Sequence, residues 1–193
     1  LCPADGMETV NAIRAAYETP GPVYIRINRG FDRLLYEDTE YGFELGKAHT
    51  VHEGTDLTVI ACGSCVYQAL QAAKALEASD GLKIRVLDMH TLKPLDVEAV
   101  QKAIVDTRRI ITAEDHSVIN GLGSQVASVI VRFWQGLRIQ RNWAIRINSR
   151  RSACMRILCP WLALMPTALW MQSAKSCIRT LKRMIPGMTR YKV

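Results

Sequence analysis

Three short apolar runs set the frame for this chain. "LTVIA" (57–61), "KIRVLDM" (83–89) and "RIITA" (109–113) are separated by two amphipathic stretches, "YQALQAAKALEAS" (67–79) and "LDVEAVQKAIVDT" (95–107). A further stretch, "GSQVASVI" (123–130), begins another helix. Runs of this length, rich in Val, Ile and Leu, predict strands buried on both faces. Strands alternating with helices imply βαβ units and a parallel sheet with helices packed on it. The expected fold class is therefore α/β. Ligand sites in such sheets lie outside the carboxyl ends of the strands.

Upstream, "PADGMETVNAIRAAYETPGP" predicts a helix with Asp5 as its cap and Glu8 in its first turn. Val10, Ile13 and Tyr17 recur at helical spacing, and Pro20-Gly21-Pro22 stops the helix. "VYIRI" (23–27) predicts a strand that emerges at Asn28-Arg29-Gly30. Residues 31–56 are polar and lack strong periodicity, so they read as a connection.

The charge is unevenly divided. The chain of 193 residues carries +7 overall, but residues 1–130 hold 12 basic and 18 acidic residues, a balance of −6. Residues 131–193 hold 13 Lys and Arg and no acid, together with all four Trp residues, Trp134, Trp143, Trp161 and Trp170. Taken at face value, such a tail could meet nucleic acid or an anionic membrane surface. The sequence shows no signal-peptide pattern and no run of about 18 apolar residues. Six Cys without secretory context fit reduced thiols in a cytoplasmic protein. Leu1 is not an initiator Met, so the chain reads as truncated at its start.

Three motifs could carry chemistry. Cys62-Gly63-Ser64-Cys65 is a C-x-x-C at a strand-to-helix turn. A helix N-terminus can lower a thiol pKa there, as in dithiol redox proteins, or both Cys can simply pack. "EDHSVINGLGS" places Glu114, Asp115 and His116 after a strand and before a glycine-rich helix start. Backbone amides in such a turn can approach an anion. His116 could be a general acid or base, or a hydrogen-bonded loop residue. Arg29, at the end of the expected strand, is the better anion clamp of the pair Arg26 and Arg29, unless it pairs with Asp32.

"PADGMET", "GPVYIRINRG", "GTDLTVIACGSCVYQALQAAKAL", "VLDMHTLKPLD" and "TAEDHSVINGLGSQVA" together resemble the C-terminal section of transketolases, most closely the split enzymes whose halves are separate chains. The resemblance covers residues 1–130. The wider superfamily includes 1-deoxyxylulose-5-phosphate synthase and the β-type subunits of 2-oxoacid dehydrogenase E1. The resemblance implies residues 1–38 as the end of a pyrimidine-binding domain, 39–56 as a linker and 57–130 as an incomplete transketolase C-terminal domain. It implies thiamine diphosphate and a divalent metal such as magnesium, both bound by the complete enzyme rather than by this section alone. It also implies transfer of a two-carbon ketol unit between sugar phosphates, an N-terminal section or subunit as partner, and a homo-oligomer when complete. The family's activating Glu would lie upstream, so no catalytic residue is expected here. Arg29 matches the arginine that contacts the substrate's phosphate, and His116 matches a signature position that could line the site. Asn120 stands where Gly is usual, and the C-x-x-C matches a strand–Gly-Ser–helix turn, which favours packing.

Residues 131–193 do not continue the family pattern. A shifted reading frame would explain them. Because Met and Trp codons are unique, the shifted frame must read Asp at Trp170-Met171, Ala at Met171-Gln172, and Asp at both Met184-Ile185 and Met188-Thr189. With permitted third bases it yields "DADGIVDAVREIL", which is similar to the last helix of split transketolases. The shift would fall between about Val131 and Gln140, making the basic tail an accident of translation and nucleic acid an unlikely partner. The rival reading is a non-catalytic basic binding protein. The gene's nucleotide sequence decides between them. The expected result is a second frame that encodes this acidic helix and stops within the Tyr191–Lys192 codons; incompatible third bases would leave the tail as a genuine binding element.

Overall fold

The computed structural model describes residues 1–28, 33–117 and 119–134. The tail beyond 134, with its three further Trp residues and three Cys residues, lies outside the described residues, as does the expected frame change past that point. The chain opens with α1 (Gly6–Glu18) and continues as an extended segment to β1 (His49–His52). It then alternates β2 (Leu57–Ala61), α2 (Cys65–Asp80), β3 (Ile84–Asp88), α3 (Val97–Thr107), β4 (Ile110–Ala113) and α4 (Leu122–Trp134). The sheet order is β1-β3-β2-β4, with β2 parallel to both β3 and β4. The expected βαβ units are therefore present, close to their expected bounds. α4 runs on four residues past the expected domain end at 130.

Side-chain alternation along the strands builds two cores. Leu57 and Ala61 of β2 pack with Ile84, Val86 and α2's Val66, Ala69, Ala73 and Leu76. Ile60 faces the other way, toward Leu87 of β3 and Val100, Ile104, Leu122 and Val126 of α3 and α4. Side chains on a strand point alternately to opposite faces, so an apolar strand covered on both sides needs two such layers. Thr58 is the exception in β2. Fully buried, it hydrogen-bonds through Oγ1 to Thr107 Oγ1 at 2.8 Å, so its hydroxyl is not left without a partner.

Two expectations fail here. β1, which reads "HTVH", lies inside the polar stretch taken as a linker; it is an antiparallel edge strand on β3, His49 opposite Asp88. Conversely, "VYIRI" (23–27) forms no strand. Its described backbone bonds are to Leu1, whose N-terminal amine donates to Tyr24 O at 2.7 Å and whose carbonyl accepts from Arg26 N at 2.9 Å. Two bonds to one residue do not make a ladder, however high the β-propensity.

α1 begins as expected, with Asp5 Oδ1 accepting from Glu8 N at 2.8 Å. The residues at apolar helical spacing do not form the face it buries. Val10, Ile13 and Tyr17 are exposed, while Glu8, Asn11 and Ala12 are buried. Glu8 meets Asp88 of β3 in an enclosed acid cluster. Tyr41 donates to Glu8 Oε1 at 2.7 Å, Ala4 N to Glu8 Oε2 at 2.6 Å, and Tyr36 to Asp88 Oδ2 at 2.7 Å. The two tyrosine rings stack at 3.6 Å, with His49 edge-on to both. Asp5 Oδ2 completes the tie by accepting from Leu35 N and Tyr36 N.

Burial raises both acids: Glu8 to about 6, and Asp88 well above its ordinary value, with Glu8's charge adding to the effect on Asp88. An acid whose folded pKa is raised stabilises the fold fully below its unfolded pKa, and that stability is lost as pH rises through the folded value. Buried His90, lowered to about 4 by its surroundings, acts with the opposite sign, losing stability as pH falls from its ordinary value. The acid pair is therefore read by difference. Asp88→Asn should gain urea midpoint relative to the parent chain as pH rises from about 4.5 through 6 toward 8. A midpoint difference that stays constant over that range would show that the pair does not share a proton.

Candidate functional site

The carboxyl ends of β2, β3 and β4 open onto one cavity of about 550 Å³, whose lining includes Arg26, Cys62, Lys93, Glu114, His116 and Asn120. This is where a parallel sheet places its ligands. The "EDH" signature supplies three neighbouring residues with three different roles.

Glu114 is buried and serves α4. Its Oε2 accepts from Leu122 N at 2.7 Å and its Oε1 from Gly123 N at 3.0 Å. A carboxylate at a helix N-terminus satisfies donors that have no partner within the helix and meets the positive end of the dipole. The glycines fit this arrangement. A Cβ on Gly121 would stand 2.3 Å from Glu114 Oε2, and one on Gly123 would stand 2.9 Å from Thr112 Oγ1. The glycine-rich turn thus admits an anion, as the sequence implies, but that anion is the protein's own carboxylate. Asn120 has φ 59°. Asn is the side chain that tolerates this left-handed region best after Gly.

Asp115 holds the N-terminal segment. Arg26 Nη2 donates to the Asp115 carbonyl oxygen and lies 3.9 Å from its carboxylate. Arg26 is thereby committed to a structural contact. Arg29 lies outside the described residues, as does Asp32. His116 is exposed at the cavity, with Nδ1 at 3.0 Å from Ser117 O. That contact assigns the proton to Nδ1 and leaves Nε2 as the acceptor in the neutral ring.

The C-x-x-C turn is not a dithiol site. Cys65, in the first turn of α2, is buried, and its thiol is pushed up to about 12 by desolvation. Cys62 lies instead in one buried cluster with Cys2, a residue that sequence reasoning passed over because nothing local relates the two. Cys2 is pinned from both sides: its N donates to His90 O at 2.7 Å, and its carbonyl accepts from Gly63 N at 3.1 Å. Among the described residues, no group of three or more His, Cys, Asp or Glu could hold a metal ion.

The architecture is that of a sheet domain covered on both faces, with an extra N-terminal segment docked at its carboxyl edge. Comparison with known proteins gives it a family. Residues 46–142 match the family described as transketolase, C-terminal domain. One subunit of the apulose-4-phosphate transketolase of Phocaeicola vulgatus is 44% identical over 130 residues, which is 67% of this chain and 41% of that protein. A putative transketolase C-terminal section of Methanocaldococcus jannaschii is 40% identical over 131 residues, 67% of this chain and 40% of that protein. A solved split-gene transketolase, an inactive beta4 tetramer, shares 42% identity at a TM-score of 0.64, over 67% of this chain and 43% of that one. This chain belongs to the transketolase family and carries its C-terminal domain. It spans about two fifths of the length of these curated relatives.

The role assigned to Glu114 is testable by stability. Glu114→Ala leaves the Leu122 and Gly123 amides without their partner, and should cost about 1–3 kcal/mol by chemical denaturation. Gly121→Ala should cost a similar amount by expelling the same carboxylate, and the double variant should cost less than the sum of the two. Full additivity would separate Gly121 from the cap.

Proposed function

We propose that this chain is the C-terminal section of a transketolase that transfers a two-carbon ketol unit between sugar phosphates, working with an N-terminal section or subunit in a homo-oligomer. The match of residues 46–142 to the transketolase C-terminal domain carries this reading. The names of the relatives support it, because one is a separate subunit of a transketolase and another a C-terminal section. The apolar residues exposed on α1 and the segment after it, Val10, Ile13, Tyr17, Tyr24 and Ile27, fit a section completed by further protein. On this reading, residues 1–38 end a pyrimidine-binding domain and 57–130 belong to the C-terminal domain, with the connection 39–56 contributing β1 to that domain's sheet.

The complete enzyme would use thiamine diphosphate and a divalent metal such as magnesium. The described residues do not fit either group. They offer no metal-ligand cluster, and the glycine-rich helix start that could cradle a diphosphate is closed by Glu114. No step through the cofactor is therefore assigned to them; on this reading the activating Glu belongs to the part of the pyrimidine-binding domain that precedes residues 1–38. What this chain brings to the substrate is Arg29, as a phosphate clamp, and His116 Nε2 as a hydrogen-bond acceptor at the mouth of the carboxyl-edge cavity.

Ketol transfer measured with the purified chain alone and with a co-expressed N-terminal section that includes the rest of the pyrimidine-binding domain tests the proposal. The expected result is turnover only in the second case. Activity of the chain alone would refute the division of labour, and a complex that condenses pyruvate instead would favour the deoxyxylulose-phosphate synthase alternative. In the active complex, Arg29→Ala should weaken use of a sugar phosphate by roughly tenfold to a hundredfold more than use of an unphosphorylated analogue. Equal losses on both substrates would make Arg29 structural.

A further inference from the structure

The mechanism proposed above uses none of the three cysteines at the carboxyl edge, yet two of them are brought together from distant parts of the chain. Cys2 belongs to the segment before α1, and Cys62 directly follows β2. Both are almost fully buried, 3% and 2% exposed, both belong to one core cluster, and both line the 550 Å³ cavity. The backbone holds them in register. Gly63, next to Cys62, donates its N–H to the Cys2 carbonyl at 3.1 Å, and a Cβ on Gly63 would stand 3.1 Å from Cys2 Sγ. Gly63 has φ 60°, a left-handed conformation in which a side chain would be strained, so the turn is built to admit the Cys2 sulfur.

We propose that Cys2 and Cys62 form a redox-active thiol pair, oxidised by hydroperoxides to a disulfide that fastens the N-terminal segment to the end of β2. The neighbouring Cys62 thiol and the Arg26 guanidinium favour the thiolate on Cys2, while burial beside Cys2 holds Cys62 in its thiol form. Cys2 is therefore the attacking sulfur. Its thiolate bonds to one peroxide oxygen, the O–O bond breaks, and the leaving hydroxide or alkoxide takes a proton to become water or an alcohol. The product is a sulfenic acid at Cys2. Cys62 then gives up its proton and attacks that sulfur. The S–S bond forms, the S–O bond breaks, and water leaves. Two thiols lose two electrons in total, and the hydroperoxide gains them. Reduction by a dithiol reverses the change. The cavity supplies a route for the oxidant to two thiols that are otherwise covered.

Peptide mapping tests the pair on the full chain carrying Cys65→Ser, which leaves Cys62 as the only thiol in its tryptic peptide, 48–74. The reduced chain is treated with hydrogen peroxide, the remaining thiols are alkylated, and the digest is analysed without reduction. The expected result is one crosslink between peptides 1–14 and 48–74, lost on dithiothreitol treatment and absent when Cys62→Ser is added. In the parent chain, fragmentation should place the same link at Cys62 rather than Cys65. A Cys62–Cys65 disulfide in the parent chain would overturn the proposal. So would Cys2 recovered only as an alkylated thiol or only as a sulfinic acid in the Cys65→Ser chain.

Discussion

The carboxylate of Glu114 is the contact on which the carboxyl edge depends. It leaves β4, turns back and receives two backbone amides of α4. Leaving such buried amides without a partner costs about 1–3 kcal/mol, and here the two bonds also decide where a helix starts. The consequences spread outward. Gly121 must lack a side chain, because Glu114 occupies the space where a Cβ would stand. The loop that makes the return adopts a left-handed conformation at Asn120. The next residue, Asp115, is fixed in position to receive Arg26 and so to seat the N-terminal segment. His116 is the first side chain of the signature left facing the cavity.

How far this was legible depends on the range of the signal. Hydrophobic period is local, and it located β2, β3, β4 and the helices between them to within a few residues. β1 was hidden because "HTVH" is polar and short; it is a strand only because β3 offers an open edge some thirty-five residues later in the chain. "VYIRI" shows the opposite case, strand-like in composition but with no described neighbour to pair with. For the site, the sequence identified the "EDH" residues and the anion-accepting glycine turn, yet could not show that the anion comes from within the chain. The meeting of Cys2 with Cys62 has no local signature at all.

The outward apolar face of α1 falls under the same limit, and it explains how the molecule holds together. Periodicity counts apolar residues and assumes that they point inward. In α1 the inward residues are Glu8 and Asn11, because α1 packs against polar partners: Asp88 of β3, Tyr36 and Tyr41 of the connection, and the Thr39 carbonyl, which accepts from Asn11 Nδ2 at 2.8 Å. A buried polar network of this kind adds little net stability compared with apolar packing, since each group gives up water to enter it. It does impose geometry. Leucine in place of Glu8 could pack in several rotations of α1, whereas hydrogen bonds from Ala4 and Tyr41 accept one. Asp5 strengthens that choice by capping α1 with one oxygen and holding residues 35 and 36 with the other. The tie therefore fixes the orientation of α1 on the sheet domain while leaving its apolar residues outward. If α1 meets further protein as proposed, a hydrogen-bonded acid cluster anchors it without consuming that face.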